Sequence, residues 1–235
     1  MAFALQQHDL FDLAASREAV LARYRTLREI SRRINGELTK FVSEDAILRE
    51  ARKLGLGHGK TLVLDDMEEL NYVFDLAIHT ATPSRSRTID RYARSARFAA
   101  GSDEALMLNA MQASRFSVLL IDGRHEVAGL IASDLLRRAE KIWLVDVGLE
   151  SSMPEGAVLA TRLYMPGPFA MTAGANVPCD LTILEDALYE LPSRLCDAPL
   201  EALSRDRRFA AAVYRIALSE GLTHRVKYRD VPDDA

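Results

Sequence analysis

The segment FSVLLID, residues 116–122, decides the fold, because it opens a series of short runs rich in Val, Ile and Leu. Runs of this kind, separated by turn signals, are typical of β-strands. Four more follow it: VAGLIA at 127–132, KIWLVDV at 141–147, VLATRLYM at 158–165 and FAMT at 169–172. Asp122-Gly123 has the composition of a hairpin turn. Five short strands at close spacing predict a small, mainly antiparallel sheet or a partly closed barrel over about 116–173.

Before and after the strand region in the sequence, apolar residues recur at helical spacing. Ser16, Ser43 and Ser102 each precede such a pattern and suit an N-cap, and Ser86 is expected to cap a shorter basic helix. The clearest stripe lies near residues 66–79 and consists of Leu70, Val73, Phe74, Ala77 and Ile78. The first helix is expected to end at Asn35-Gly36, and the last two to cover about 184–191 and 200–219.

These patterns predict an α+β protein. Helices at 16–114 and 183–220 are expected to pack on the sheet at 116–173, forming a single composite domain over 1–235. Nine side chains occupy the inward phase of their elements and are predicted to lie in the core. They are Leu70, Phe74, Phe116, Val118, Leu120, Ile142, Leu144, Leu159 and Leu163.

The composition is that of a globular protein. Of the 235 residues, 49% are hydrophobic and 27% are charged, which excludes disordered, collagen-like and disulfide-rich classes. Thirty basic and 34 acidic side chains give a net charge of −4, so no general attraction to nucleic acid or anionic lipid is expected. Only two cysteines occur, which favours the cytoplasm. No apolar run has the length of a membrane span, and no membrane association is expected.

The string GLGHGKT, residues 55–61, is similar to a phosphate-binding loop. That loop requires a glycine five positions before Gly59, where this chain has Leu54, and it joins a strand to a helix rather than a helix to an extended segment. We therefore interpret it as a connector. The chain has neither a G-x-S-x-G nucleophile motif nor an H-E-x-x-H zinc motif. We expect no metal and no cofactor.

Asp75 and His79 form the candidate catalytic pair. They lie four positions apart on the predicted third helix, so a carboxylate and an imidazole share one face, a spacing suited to a general base. Glu68 and Tyr72 extend the same stripe. The alternative interpretation is a polar face exposed to water, because the stripe lies away from Leu70 and Phe74. We favour that exposed face over a catalytic pair.

A basic stripe is the candidate nucleic-acid site. Arg87, Arg91 and Arg94 share a helix face at i, i+4 and i+7, a spacing that suits phosphate contacts. The alternative is that these side chains pack over their own helix and pair with Asp90. A protein partner or self-association is a third possibility, suggested by adaptable methionines at Met107, Met111 and Met153.

Because no reaction centre is favoured over a structural interpretation, we predict a non-catalytic binding or regulatory module. The alternatives are a nucleic-acid-binding protein that uses the Arg87, Arg91 and Arg94 stripe, and an enzyme whose pocket uses Asp75 and His79. The enzyme hypothesis predicts that this pair lines a cleft rather than an open convex surface.

The strand region also resembles a known group of sequences. SRFSVLLID, GLIASDLL, KIWLVDVGLESSMPEGAVLATRL and FAMTAGA, preceded by LVLDDMEELNYVFDLAIHT, resemble the core of uncharacterised bacterial proteins, some of which carry a C-terminal SEC-C zinc motif. The resemblance covers roughly residues 45–175. It implies a bacterial origin and a shared fold but no activity, and the Cys-rich zinc motif itself is missing from this chain.

Overall fold

The computed structural model describes residues 16–82, 84–196 and 198–222, and it confirms the α+β class. The helices are α1 (Arg17–Phe41), α2 (Glu44–Lys53), α3 (Glu69–His79), α4 (Thr88–Ser95), α5 (Asp103–Gln112), α6 (Val147–Ser152), α7 (Leu181–Tyr189), α8 (Ser193–Cys196), α9 (Leu200–Leu203) and α10 (Arg207–Ser219). The strands are β1 (Gly57–His58), β2 (Thr61–Leu62), β3 (Arg115–Arg124), β4 (Leu130–Asp134), β5 (Glu140–Leu144), β6 (Val158–Tyr164) and β7 (Met171–Cys179).

The main sheet is open and antiparallel, with strand order β5-β4-β3-β6-β7. The central strand β3 pairs with β6 from Arg115 opposite Leu163 to Leu120 opposite Val158. One parallel bridge joins Leu144 to Ala170 without closing the sheet into a barrel. Of the two predicted arrangements, the antiparallel sheet is therefore confirmed and the partly closed barrel is wrong.

Several strand boundaries differ from the prediction, and β4, predicted at 127–132, runs from Leu130 to Asp134. β3 continues through Asp122-Gly123, where the register shifts, and the chain turns only at 125–129. β5 ends at Leu144 because Asp146 begins α6, its side chain accepting a hydrogen bond of 3.2 Å from the Leu149 N–H. β7 extends to Cys179, since Asn176 to Cys179 still pair with β6. A capping side chain at Asp146 and backbone pairing along β7 thus decide where these strands end, rather than the local content of Val, Ile and Leu.

The helix starts at Ser16, Ser43 and Ser102 are confirmed, and each hydroxyl accepts a hydrogen bond from a backbone N–H. The other boundaries change. α1 continues through Asn35-Gly36 to Phe41, because Ile34 and Leu38 are buried on its inner face and their packing outweighs the low helix propensity of glycine. α4 begins after Arg87 rather than Ser86. The predicted helix at 200–219 is split because the side chain of Asp206 starts a new N-terminus at α10.

The core is buried on both faces of the sheet. Phe116 and Val118 pack against α3, α7 and α10, whereas Leu119 and Ile121 belong to a cluster on the opposite face. Six of the nine predicted core residues are buried, and Leu70, Phe74 and Leu120 are only partly so. A third cluster joins α1, α4 and α5 to Tyr164 and Phe169.

The GLGHGKT string forms the hairpin β1–β2, with Gly59 at φ +60°, which agrees with the connector interpretation. Met107 and Met111 are fully buried, so they do not form the adaptable contact surface that their spacing suggested. Within the described ranges, no helix combines the length and the apolar character that crossing a bilayer requires.

Candidate functional site

A cleft of about 1180 Å³ lies between α1 and α3. Its floor is formed by β7 with the start of α6, and Tyr164 of β6 reaches into it. α1 contributes one continuous face, from Tyr24 to Thr39, and α3 contributes the face that carries Asn71, Asp75 and His79. Both helices therefore present polar residues to the same space.

The floor is made of small residues at the edge of the sheet. Ala173, Gly174 and Ala175 line the cleft where the pairing of β7 with β6 shifts register. Gly174 has φ +108°, and a Cβ added there would meet no atom within 4 Å. On the facing wall, a Cβ added to Gly36 would also meet open space. The cleft owes part of its width to these two glycines.

Two side chains tie the helices to the edge strand β7. Arg28 of α1 donates a hydrogen bond of 2.7 Å from Nη1 to the carbonyl of Thr172. Tyr72 of α3 donates one of 3.0 Å from its hydroxyl to the carbonyl of Asn176. These two bonds anchor both walls of the cleft to the edge strand.

Asp75 is buried, with 6% of its surface exposed, so the expectation of a water-facing polar stripe is wrong. Arg162 of β6 donates two hydrogen bonds to its carboxylate, at 2.7 and 2.9 Å, and the Tyr214 hydroxyl donates a third at 3.1 Å. Burial acts to raise the pKa of Asp75, but the Arg162 charge outweighs it and the pKa is lowered. Asp75 is therefore a charged and fully bonded carboxylate.

His79 is equally buried, with 5% exposed. Its Nε2 lies 3.0 Å from the Tyr164 hydroxyl and its Nδ1 lies 3.2 Å from the Ser114 hydroxyl. Burial, aided by the positive charge of Arg162, lowers the pKa of His79 to about 3. Burial also raises the pKa of Tyr164, whose hydroxyl bonds the side chain of Asn35. His79 and Tyr164 are therefore polar but uncharged at neutral pH.

A second ion pair lies where α1 meets α6. Arg28 Nη2 donates to Asp146 Oδ2 at 2.8 Å, and the Thr172 hydroxyl donates to the same oxygen at 2.8 Å. Arg28 Nε also donates to the Tyr24 hydroxyl at 3.2 Å. Asp146 is buried, so this pair is part of the wall rather than a mobile surface contact.

No sequence pattern indicates that these residues form the wall of a cleft. The apolar run at 141–147 predicts a strand at Asp146, and the spacing of Arg28 on its helix does not indicate a pair with Asp146. Asp146 has one usable signal: an acidic residue after a buried apolar run and three residues before a leucine is a typical N-cap pattern. Arg162 gives no such signal, since a single Arg inside an apolar strand does not indicate which carboxylate pairs with it.

The predicted arginine stripe is largely occupied by contacts within the protein. Arg87 precedes α4 instead of lying on it, and donates to both Asp90 oxygens at 2.8 Å and to the Gln112 carbonyl. Arg91 donates to the Ser86 carbonyl at 3.0 Å, and Arg94 lies 3.4 Å from the Ser86 hydroxyl. Arg91 and Arg94 are nevertheless exposed, and their binding of nucleic acid stays a prediction.

Burial of a neutral His79 predicts acid sensitivity. The unfolded chain takes up a proton at this residue near pH 6.5, whereas the folded chain does so only near pH 3. Above about pH 6.5, proton uptake at His79 should therefore not change the free energy of unfolding. As the pH falls from there toward 3, it should lower the free energy of unfolding by about 1.4 kcal/mol per pH unit. Urea unfolding at a series of pH values measures this slope.

His79→Gln should flatten the slope between about pH 6 and 4.5, because glutamine does not titrate, even if the variant is less stable overall. His58→Gln, which changes an exposed histidine on the β1–β2 hairpin, should leave the slope as it is. An unchanged slope in the His79 variant would show that its pKa is not depressed in the folded protein.

Comparison with protein families gives one finding. A model described as a family of unknown function, DUF7986, matches residues 18–226. Neither the curated proteins nor the solved structures contain a significant match to the chain.

Proposed function

The chain belongs to the DUF7986 family of unknown function, and we propose that it is a non-catalytic binding or regulatory module that holds a small polar molecule in the cleft between α1 and α3. The observation that carries this proposal is the cleft itself, whose volume is ample for a small organic ligand. Its lining combines helices and sheet, so the proposal treats them as one composite domain.

The lining is organised by polarity. The rim carries charged side chains, among them Arg25, Glu29 and Glu68, which are exposed. Arg28 and Asp146 neutralise each other at the α6 end, and His79 and Tyr164, which are bonded to each other, add no charge at the other. Such an arrangement suits a ligand with polar groups along its length rather than an apolar molecule.

Binding is favoured over catalysis because the two candidate catalytic groups are already committed. Asp75 is bonded by Arg162 and Tyr214, and both ring nitrogens of His79 have partners. A pKa near 3 also leaves His79 without a proton to give at neutral pH. An enzyme that uses Asp75 and His79 is the second candidate, since both residues line the cleft.

We also propose that the protein is cytoplasmic and bacterial. Two cysteines in a chain of 235 residues favour the cytoplasm. The similarity of the strand core to bacterial proteins that carry a SEC-C motif supports a bacterial origin. We favour ligand binding in the cleft over nucleic-acid binding through the Arg87, Arg91 and Arg94 stripe, because Arg87 is bonded to Asp90.

Thermal unfolding in the presence of a panel of small polar metabolites tests the proposal. A compound that binds only the folded protein raises the free energy of unfolding by about 2.7 kcal/mol at one hundred times its dissociation constant. Gly36→Trp and Asn71→Trp place indole rings in the cleft from opposite walls and should abolish the stabilisation. Ala22→Trp, at an exposed α1 position outside the cleft, should retain it.

The proposal fails if no panel member stabilises the wild-type protein, or if the two cleft variants respond as strongly as Ala22→Trp. Turnover of a stabilising compound by the wild-type protein, lost in His79→Gln, would favour the enzyme hypothesis instead.

A further inference from the structure

A second, smaller pocket of about 350 Å³ lies between α10, the end of α2 and the end of α7. Four basic side chains line it, Lys53, Arg207, Arg208 and Arg215, together with a single carboxylate from Glu190. None of these residues lines the large cleft. We propose that this pocket binds the phosphoryl group of a small phosphorylated molecule.

The three arginines converge because of helix geometry. Arg207, Arg208 and Arg215 fall on one side of α10 at i, i+1 and i+8, with Ala211 and Ala212 between them. The alanines are short, so the guanidinium groups stand around an open space instead of being separated by bulk. Leu191 and Pro192 provide an apolar wall on the other side.

The carboxylates near the pocket leave its positive charge only partly balanced. Arg208 donates two hydrogen bonds to Asp206, at 3.0 and 2.7 Å, and Lys53 pairs with Glu50. Arg215 pairs with Glu190. The Arg207 side chain makes no hydrogen bond or close ion pair with the part of the chain that the structure describes, although it is only partly exposed and its charge acts on Asp206. Among the described residues, the pocket therefore holds one guanidinium without a bonded partner, and a second, Arg215, whose partner can be replaced.

The Arg215–Glu190 pair is more than a third exposed on both sides. Exposed pairs of this kind contribute little to stability, so an incoming anion can replace Glu190 at small cost. A phosphoryl dianion offers three acceptor oxygens and matches the forked donors of two arginines better than a single carboxylate does. The alanines with Leu191 and Pro192 can accept the organic part of the ligand.

Calorimetric titration of the full chain with phenyl phosphate tests this site. Arg207→Gln and Arg215→Gln should each weaken binding about tenfold or more, because each removes a charged hydrogen-bond donor. Glu190→Gln should tighten binding several-fold, since it removes the competing carboxylate. Arg205→Gln carries the same charge change at an exposed neighbouring position outside the pocket and should have no effect.

A gain of affinity in Glu190→Gln cannot come from misfolding, which makes it the decisive variant. The proposal is overturned if the wild-type protein shows no saturable binding of phenyl phosphate, if Glu190→Gln binds no more tightly, or if Arg205→Gln loses as much affinity as the pocket variants. Binding of inorganic phosphate that equals that of phenyl phosphate would overturn the part assigned to the apolar wall.

Discussion

Arg162→Met is expected to lower the free energy of unfolding by about 3–5 kcal/mol, because it leaves the Asp75 carboxylate buried without its cation. The guanidinium of Arg162 and the carboxylate of Asp75 are each about 5% exposed or less, and two hydrogen bonds join them. The Tyr214 hydroxyl alone does not balance the charge.

Urea unfolding at pH 7 measures this loss. The matched control is Lys40→Met, which breaks an exposed pair with Glu37 on α1 and should change stability by less than about 0.5 kcal/mol. The double variant Arg162→Met with Asp75→Asn should lose less free energy of unfolding than the sum of the two single variants, since the amide leaves no buried charge without a partner. A cost for Arg162→Met as small as that of the control would show that the pair is not buried in the folded protein.

Gly129→Ala should cost about 2–5 kcal/mol. Gly129 is the last residue of the turn before β4 and has φ +79°, and a Cβ there would lie 2.3 Å from the carbonyl oxygen of Leu144 and 3.0 Å from the Cα of Val145. The left-handed backbone costs a non-glycine residue about 1–2 kcal/mol, and relieving the overlap costs about 1–3 kcal/mol more. Both contacts are with backbone atoms, so rotation of a side chain cannot relieve the overlap.

Gly156→Ala separates the two contributions. Gly156 has φ +81°, but a Cβ there would meet no atom within 4 Å, so only the backbone cost of about 1–2 kcal/mol applies. Equal losses in the two variants, measured by urea unfolding, would contradict the close approach at Gly129. Displacement of Leu144 and Val145 would also move Asp146, the next residue, and with it the wall of the cleft.

The elements that follow from local chemistry could be predicted. Ser16, Ser43 and Ser102 start helices because their hydroxyls bond backbone groups three residues on, and nothing distant competes with them. The strand at 116–122 was recognisable because β-branched and leucine side chains crowd into it. Gly36 shows where local chemistry is insufficient, since the buried neighbours Ile34 and Leu38 hold the helix through it.

The site could be predicted only in part. Asp75 and His79 were identified by their spacing, but the face they share was expected to meet water. That expectation assumed that α3 packs on one side only, whereas α3 is buried by the sheet and α10 on one side and by α1 on another. The partner of Asp75 lies 87 positions away, a pairing that no local pattern encodes.

The central claim is that the cleft between α1 and α3 is a ligand site, and amide-resolved NMR tests it most directly. Titration of the isotope-labelled chain with the panel compound that stabilises it most should shift amide signals from the α1 face at 24–39, the α3 face at 68–79 and the β7 floor at 172–175. Signals from α7 and α9, which do not line the cleft, should stay in place. The claim would be contradicted if the shifted amide signals cluster away from the cleft while those of the α1 face, the α3 face and the β7 floor stay unchanged at saturation.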